Sequence, residues 1–174
     1  MTIRKILTEP DPFLRQKSEK VDIVDNNVRS LLDDMLDTMY AAPGIGLAAI
    51  QIGVPKRVIV IDLSRKDEKK NPLYFVNPEI ITNSNNDAAY EEGCLSVPGQ
   101  FAEISRPDKC KVKYLDYYGN EKILDTKGLL ATCIQHEMDH LEGILFIDYL
   151  SKLKKNMIVK KLSKQKKSLE RIVV

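Results

Sequence analysis

Both histidines of this 174-residue chain lie in one five-residue stretch, His136-Glu137-Met138-Asp139-His140. On an α-helix each residue turns by about 100°, so positions four apart differ by roughly 40° and share a face. The two imidazoles can then grip one divalent metal ion. Glu137, one residue on from His136, can reach the ion's open side and handle the protons of an attacking water. Two ligands do not complete a catalytic metal site, which normally uses three protein ligands and leaves one position open. A third side chain must therefore join this face.

The thiols are the first candidates. Cys133 sits three residues before His136 on the same predicted helix, where its apolar neighbours favour a buried wall. Cys110 lies in a lysine-flanked strand and reads as structural. Cys94 sits in Glu91-Glu92-Gly93-Cys94-Leu95-Ser96-Val97-Pro98-Gly99, between glycines that let the backbone approach a metal or substrate closely. Cys94 leads on physical grounds, with burial as a small hydrophobe as the alternative. Asp139 points away from the direction of Glu137 and reads as a supporting or structural carboxylate. Glu92 and Arg106 can pair near Cys94, either as a support for the site or as a solvated surface pair.

The rest of the chain reads as one soluble domain, residues 1–174, with a catalytic body over 1–150 and a basic helix over 151–174. Residues 151–174 hold eight lysines and Arg171 against Glu170, a local charge of +8, whereas the body carries about −6. A globally basic, sequence-specific DNA binder is not indicated. No apolar run approaches the roughly 18 residues of a membrane span. The first residues lack the apolar core of a secretory signal, and an odd count of three cysteines argues against a closed disulfide framework. A cytoplasmic location is the expectation.

Periodicity supplies the elements. Apolar residues from Val28 to Tyr40 recur at spacings of three and four, which predicts a helix capped by Asp25 or Asn26 and ended by Pro43-Gly44. Arg57–Asp62 and Leu73–Pro78 read as strands, the second stopped by Pro78. Ser64–Asn71 reads as a charged loop. Lys111–Asp116 and Glu121–Asp125 flank Tyr118-Gly119-Asn120 as a hairpin. Asp125 or Thr126 is the expected cap of the histidine-bearing helix, which Gly143 closes. The tail predicts a third helix with Leu150, Leu153, Met157, Leu162 and Leu169 on its apolar stripe, the first three expected against the body.

Three stretches together resemble the signature motifs of the peptide deformylase family, in the family's order. They are Gly44-Ile45-Gly46-Leu47-Ala48-Ala49-Ile50-Gln51, Glu92-Gly93-Cys94-Leu95-Ser96 and Gln135-His136-Glu137-Met138-Asp139-His140-Leu141-Glu142-Gly143. The resemblance implies an α+β fold of mixed, mainly antiparallel sheets packed around a central metal-binding helix, with a C-terminal helix. It implies a hydrolase that removes the formyl group from the N-terminal methionine of newly made proteins and releases formate. It carries over Cys94, His136 and His140 as metal ligands and Glu137 as general acid and base. Gln51 and the Leu95 backbone N–H become the oxyanion donors. Fe(2+) is the family's typical ion, with Zn(2+), Ni(2+) or Co(2+) as substitutes; affinity order alone favours zinc over Fe(2+).

On this reading the N-formylmethionyl peptide lies extended beside Ile45, Gly46 and Gly93, whose backbones can pair with it like an added strand. Its first side chain needs an apolar pocket, for which Ile45, Leu129, Cys133 and the His136 ring are candidates. Leu129 reads equally well as plain core. The basic tail suits either a contact with ribosomal RNA or a solvated face. An endopeptidase with the same helix motif and a structural metal site are the rival readings.

Overall fold

The computed structural model describes residues 2–65 and 67–172, with no side-chain description after residue 168. Helix α1 (Asn26–Ala41) starts where the sequence predicts, because the Asp25 carboxylate accepts the Val28 N–H. Strands β1 (Gly46–Ala48), β2 (Val58–Ile61), β3 (Leu73–Asn83), β6 (Lys109–Leu115) and β7 (Glu121–Lys127) form one antiparallel sheet in the order β1-β2-β3-β6-β7. Strands β4 (Asp87–Cys94) and β5 (Val97–Pro107) form a separate two-stranded hairpin.

Strand β2 shows how the core divides. Its alternate residues point to opposite faces, as the two-residue strand period requires. Val58 and Val60 join α1 through Leu32, Met35 and Met39. Ile59 and Ile61 join α2 (Leu129–Leu141) through Ala131, Ile134 and Leu141. The fully buried β2 run thus separates two cores, and each fully buried aliphatic side chain contributes about 1.5–3 kcal/mol. A third cluster joins Val97 and Ile104 of β5 to Leu145, Phe146, Ile147 and Leu162. It seats a 3-10 turn (Phe146–Tyr149) and α3 (Lys152–Ile172) against the hairpin.

Four expectations need correction. Strand β3 does not stop at Pro78 but runs to Asn83. A register shift between Val76 and Glu79 places Pro78 in a bulge, where the ladder does not need its missing N–H. Asp125 and Thr126 belong to β7 and do not cap α2; Thr126 Oγ1 instead donates to the Cys110 carbonyl at 2.9 Å, and Gly128 makes the turn at φ 60°. The β4–β5 hairpin has no counterpart in the predicted elements. Finally, Leu153 and Met157 are 71% and 63% exposed, so α3 packs through Ile158, Val159 and Leu162, with Leu150 just before it. Leu169 lies outside the described side chains. None of the described helices is long and apolar enough to cross a membrane.

Candidate active site

The three motifs come together around one cavity of about 470 Å³. The β1 segment brings Ile45 and Gly46, and the 3-10 turn that follows it (Ala49–Ile52) brings Gln51. The end of β4 brings Gly93, Cys94 and Leu95, and α2 brings Leu129, Cys133, His136 and Glu137. Helix α2 is amphipathic in an unusual sense. One face is aliphatic and packs on the sheet, while the other carries buried polar groups that must find partners inside the protein.

Cys94 Sγ and one ring nitrogen each of His136 and His140 lie within 4.8 Å of one another, with Cys94 Sγ and His140 Nε2 at 3.3 Å. Tetrahedral bonds of ~2.3 Å to sulfur and ~2.0 Å to nitrogen put such donor atoms ~3.3–3.5 Å apart. The Cys94–His140 pair already stands near that separation, with His136 close enough to join it. His136 Nδ1 lies 2.7 Å from Glu92 Oε2; a carboxylate only accepts, so Nδ1 carries the proton and Nε2 presents its lone pair to the site. Burial pushes the Glu92 carboxyl upward, but hydrogen bonds from His136 and Arg106 outweigh it and hold the group below its ordinary range. Cys133 is not among these donors. It lines the cavity wall, while Cys110 packs against Thr126 in the core.

Glu137 is buried, and its Oε2 has no hydrogen-bond partner among the described residues. Desolvation raises its carboxyl pKa to about 7. Gln51 is oriented by its own Oε1, which accepts the Ala48 N–H at 2.8 Å. Its Nε2 must then point the other way, toward Ser96 Oγ at 3.0 Å and Cys94 Sγ at 3.5 Å. Leu95 sits beside it on the cavity wall, held against Gly44, where a Cβ would lie only 2.7 Å from Leu95 Cδ1.

Leu129 is 46% exposed at the cavity mouth, which removes the plain-core reading. Ile45 is equally exposed, and its carbonyl already accepts the Asp62 N–H at 2.9 Å. Glu92 and Arg106 form a buried pair, not a solvated one, with Nε to Oε1 at 2.5 Å. Asp139 lies outside the cavity and accepts from Arg106 and Tyr149. Sequence reasoning passed over Ser96, Phe101 and Tyr149. Ser96 stands inside a motif without a visible task, and Phe101 and Tyr149 fall outside all three motifs.

A cavity lined by a cysteine, a histidine, a buried carboxyl and an oriented amide, with a second histidine grouped with that cysteine and histidine, is that of a metal-dependent hydrolase. The polypeptide deformylase family model matches residues 3–156. A peptide deformylase of Pelagibacter ubique is 66% identical over 174 residues, the whole of both chains. One of Phenylobacterium zucineum is 60% identical over 97% of this chain and 99% of its own. The crystal structure of peptide deformylase from Ehrlichia chaffeensis in complex with actinonin superposes with a TM-score of 0.91 at 45% identity, covering 95% of this chain and 98% of that one. The chain belongs to the peptide deformylase family, whose members remove the N-formyl group from the N-terminal methionine of newly made proteins and release formate.

Proposed function

We propose that this chain deformylates nascent proteins with Cys94, His136 and His140 as metal ligands, Glu137 as proton carrier, and Gln51 and the Leu95 N–H as oxyanion donors. The observation that carries this division of labour is the convergence of the three donor atoms on one another, two of them in the wall of the cavity that Glu137 and Gln51 also line. A divalent ion held by such donors supplies a Lewis acid that acidifies water and polarises a carbonyl. Glu137 takes the proton of the attacking water at its free Oε2 and returns it to the departing amine. Gln51 Nε2, its rotation fixed by Ala48, meets the negative charge that develops on the formyl oxygen. Donors of this kind are worth about 3–4 kcal/mol each.

The substrate backbone runs beside Ile45, Gly46 and Gly93, and the methionine side chain enters between Ile45, Leu129, Cys133 and the His136 ring. The apolar lining and the half-exposed Leu129 support this direction of entry. Actinonin, the compound in the Ehrlichia chaffeensis complex, is expected to occupy the same cavity here. Fe(2+) is the proposed ion in the cell, with Zn(2+), Ni(2+) and Co(2+) as functional substitutes, and the enzyme is placed in the cytoplasm beside its ribosomal substrate.

Formate release from formyl-Met peptides, with protein purified without oxygen and its metal measured, tests the proposal. Turnover with stoichiometric metal is expected. Glu137→Gln keeps the ion and abolishes turnover, and Cys94→Ala loses the ion. A metallated, folded protein that releases no formate overturns the activity, and a metal-loaded, active Cys94→Ala protein overturns the ligand set.

The exposed lysines of α3, Lys160, Lys161, Lys164 and Lys167 among them, support a second part of the proposal, a contact with ribosomal RNA. Exchanging these four for Glu in the full chain should abolish salt-sensitive ribosome binding while leaving activity on short peptides intact. Unchanged binding removes this part of the proposal.

A further inference from the structure

Outside the three motifs, one short segment reaches His136 by two routes, one direct and one through other side chains. The 3-10 turn Phe146–Tyr149 places the buried Phe146 ring nearly parallel to the His136 imidazole, with centroids 6.2 Å apart and planes at 25°. Three residues later Tyr149 OH donates to Asp139 Oδ2 at 2.9 Å. The same Asp139 oxygen accepts Arg106 Nη1 at 2.8 Å, and the Arg106 guanidinium lies 4.9 Å from the centre of the Tyr149 ring. Arg106 is only 5% exposed and turns its remaining fork to Glu92, with Nε to Oε1 at 2.5 Å and Nη2 to Oε2 at 3.1 Å. Glu92 Oε2 in turn accepts the His136 Nδ1–H at 2.7 Å. The run of contacts is continuous from a surface tyrosine to a buried imidazole.

The other imidazole is not held this way. His140 Nδ1 is buried and has no partner among the described residues. A chain of charges thus stands behind the Nδ1 of one imidazole, whereas none stands behind the Nδ1 of the other.

We infer that Tyr149 is a positioning residue for the metal centre, acting on His136 through Asp139, Arg106 and Glu92. The inference rests on the ligand reading proposed above. A guanidinium with five N–H donors can tilt in its site unless its outer edge is also held. Tyr149 and Asp139 hold that edge, so Arg106 presents one fixed fork to Glu92. Glu92 then fixes both the tautomer and the ring direction of His136, and outer partners of this kind commonly change metal affinity by 10–100-fold. Phe146, from the same turn, limits the ring's remaining freedom to swing. The seating of the C-terminal segment is therefore felt at the metal centre.

The test is zinc affinity, measured on the folded protein by competition with a chromophoric chelator. Tyr149→Phe deletes one hydroxyl and keeps the ring over Arg106. It should weaken zinc binding about 10-fold and shift the visible bands of the cobalt-substituted protein, with kcat lowered and KM unchanged. Asp139→Asn should weaken zinc binding similarly, and the double variant no more than either alone, because both break one chain of contacts. Val28→Ala, in the core around α1, serves as the control: it should lower stability without moving zinc affinity. Unchanged zinc affinity in Tyr149→Phe, additive effects in the double variant, or an equal loss in Val28→Ala would each overturn the inference. His136→Ala separates the two levels. Zinc bound there at full affinity overturns the ligand reading itself; zinc lost there while Tyr149→Phe is unaffected overturns only the role of Tyr149.

Discussion

Gly46 and Glu137 face each other across the cavity so closely that a β-carbon at position 46 would overlap the Glu137 carboxyl. The clash involves the carboxyl end of the side chain, so a substituent can be accommodated only by moving the proposed proton carrier. Gly46→Ala should fold, since Gly46 has no positive φ to lose. It should retain its metal, because the three candidate ligands are untouched. The expected result is a kcat at least about 100-fold lower, the scale of a displacement of roughly 1 Å in a positioned catalytic group. Metal content beside steady-state formate release checks this, and near-normal kcat would show that Glu137 does not need its present position.

Gln51 offers a sharper distinction, because its two amide atoms do different jobs. Oε1 is anchored by the Ala48 N–H and Nε2 faces the cavity. Gln51→Glu keeps the anchor and replaces the donor with an acceptor. If Gln51 is the proposed oxyanion donor, this should lower kcat by about 10²–10³-fold or more, with added repulsion of the developing charge. Ser96→Ala removes only a neighbour of Nε2 and leaves the anchor, so its effect should stay within about 10-fold. If both variants lose activity equally, Gln51 acts through Ser96 and not on the substrate.

The contrast between α2 and the β4–β5 hairpin shows what the sequence can reveal. The helix was legible because two histidines four apart and an aliphatic stripe announce it, and Asp25 announced α1 in the same local way. The hairpin was not, because its inward positions include Glu92 and Arg106, which break the apolar alternation that marks a strand. Those two are buried because they pair with each other and with Asp139 and His136; the sequence offered the pair, but not whether it is buried or solvated. Pro78 misled for a similar reason: its tolerance in β3 depends on a bulge set by pairing with β6. Cys94 was legible as a ligand candidate through its glycine neighbours. Ser96 and Tyr149 were not, since their partners Gln51 and Asp139 are fixed only by the tertiary fold.

Removing the metal should be visible as lost stability. Any species that binds the folded chain and not the unfolded one stabilises it, by about 4 kcal/mol at a thousandfold excess over Kd. The three proposed donors come from β4 and α2, which belong to different packing layers, so a shared ion would tie the hairpin to the helix. For a chain of this size 1 kcal/mol moves Tm by about 2–4 °C, which predicts a fall of about 8–16 °C on chelation. Differential scanning calorimetry with and without chelator tests it. A Tm indifferent to chelation would mean that the donors do not share an ion.

Asp148 gives the acid limb of stability. It sits in the Phe146–Tyr149 turn and pairs with Arg15 Nη1 at 2.5 Å and Lys155 Nζ at 2.6 Å, while accepting the Leu145 N–H at 2.9 Å. Burial alone would raise its pKa, but Lys155, the Leu145 N–H and Arg15 together outweigh burial and hold it below the ordinary carboxylate value. A depressed folded-state pKa contributes stability in full above the unfolded value of about 3.9. That contribution is lost as pH falls through the lower folded value. Asp148→Asn removes the linkage and should cost about 1–2 kcal/mol at pH 7, with the difference from wild type shrinking below about pH 4. Urea unfolding of both proteins between pH 3 and pH 7 would reveal the convergence. Parallel curves over that whole range would show that Asp148 does not hold the turn through its charge.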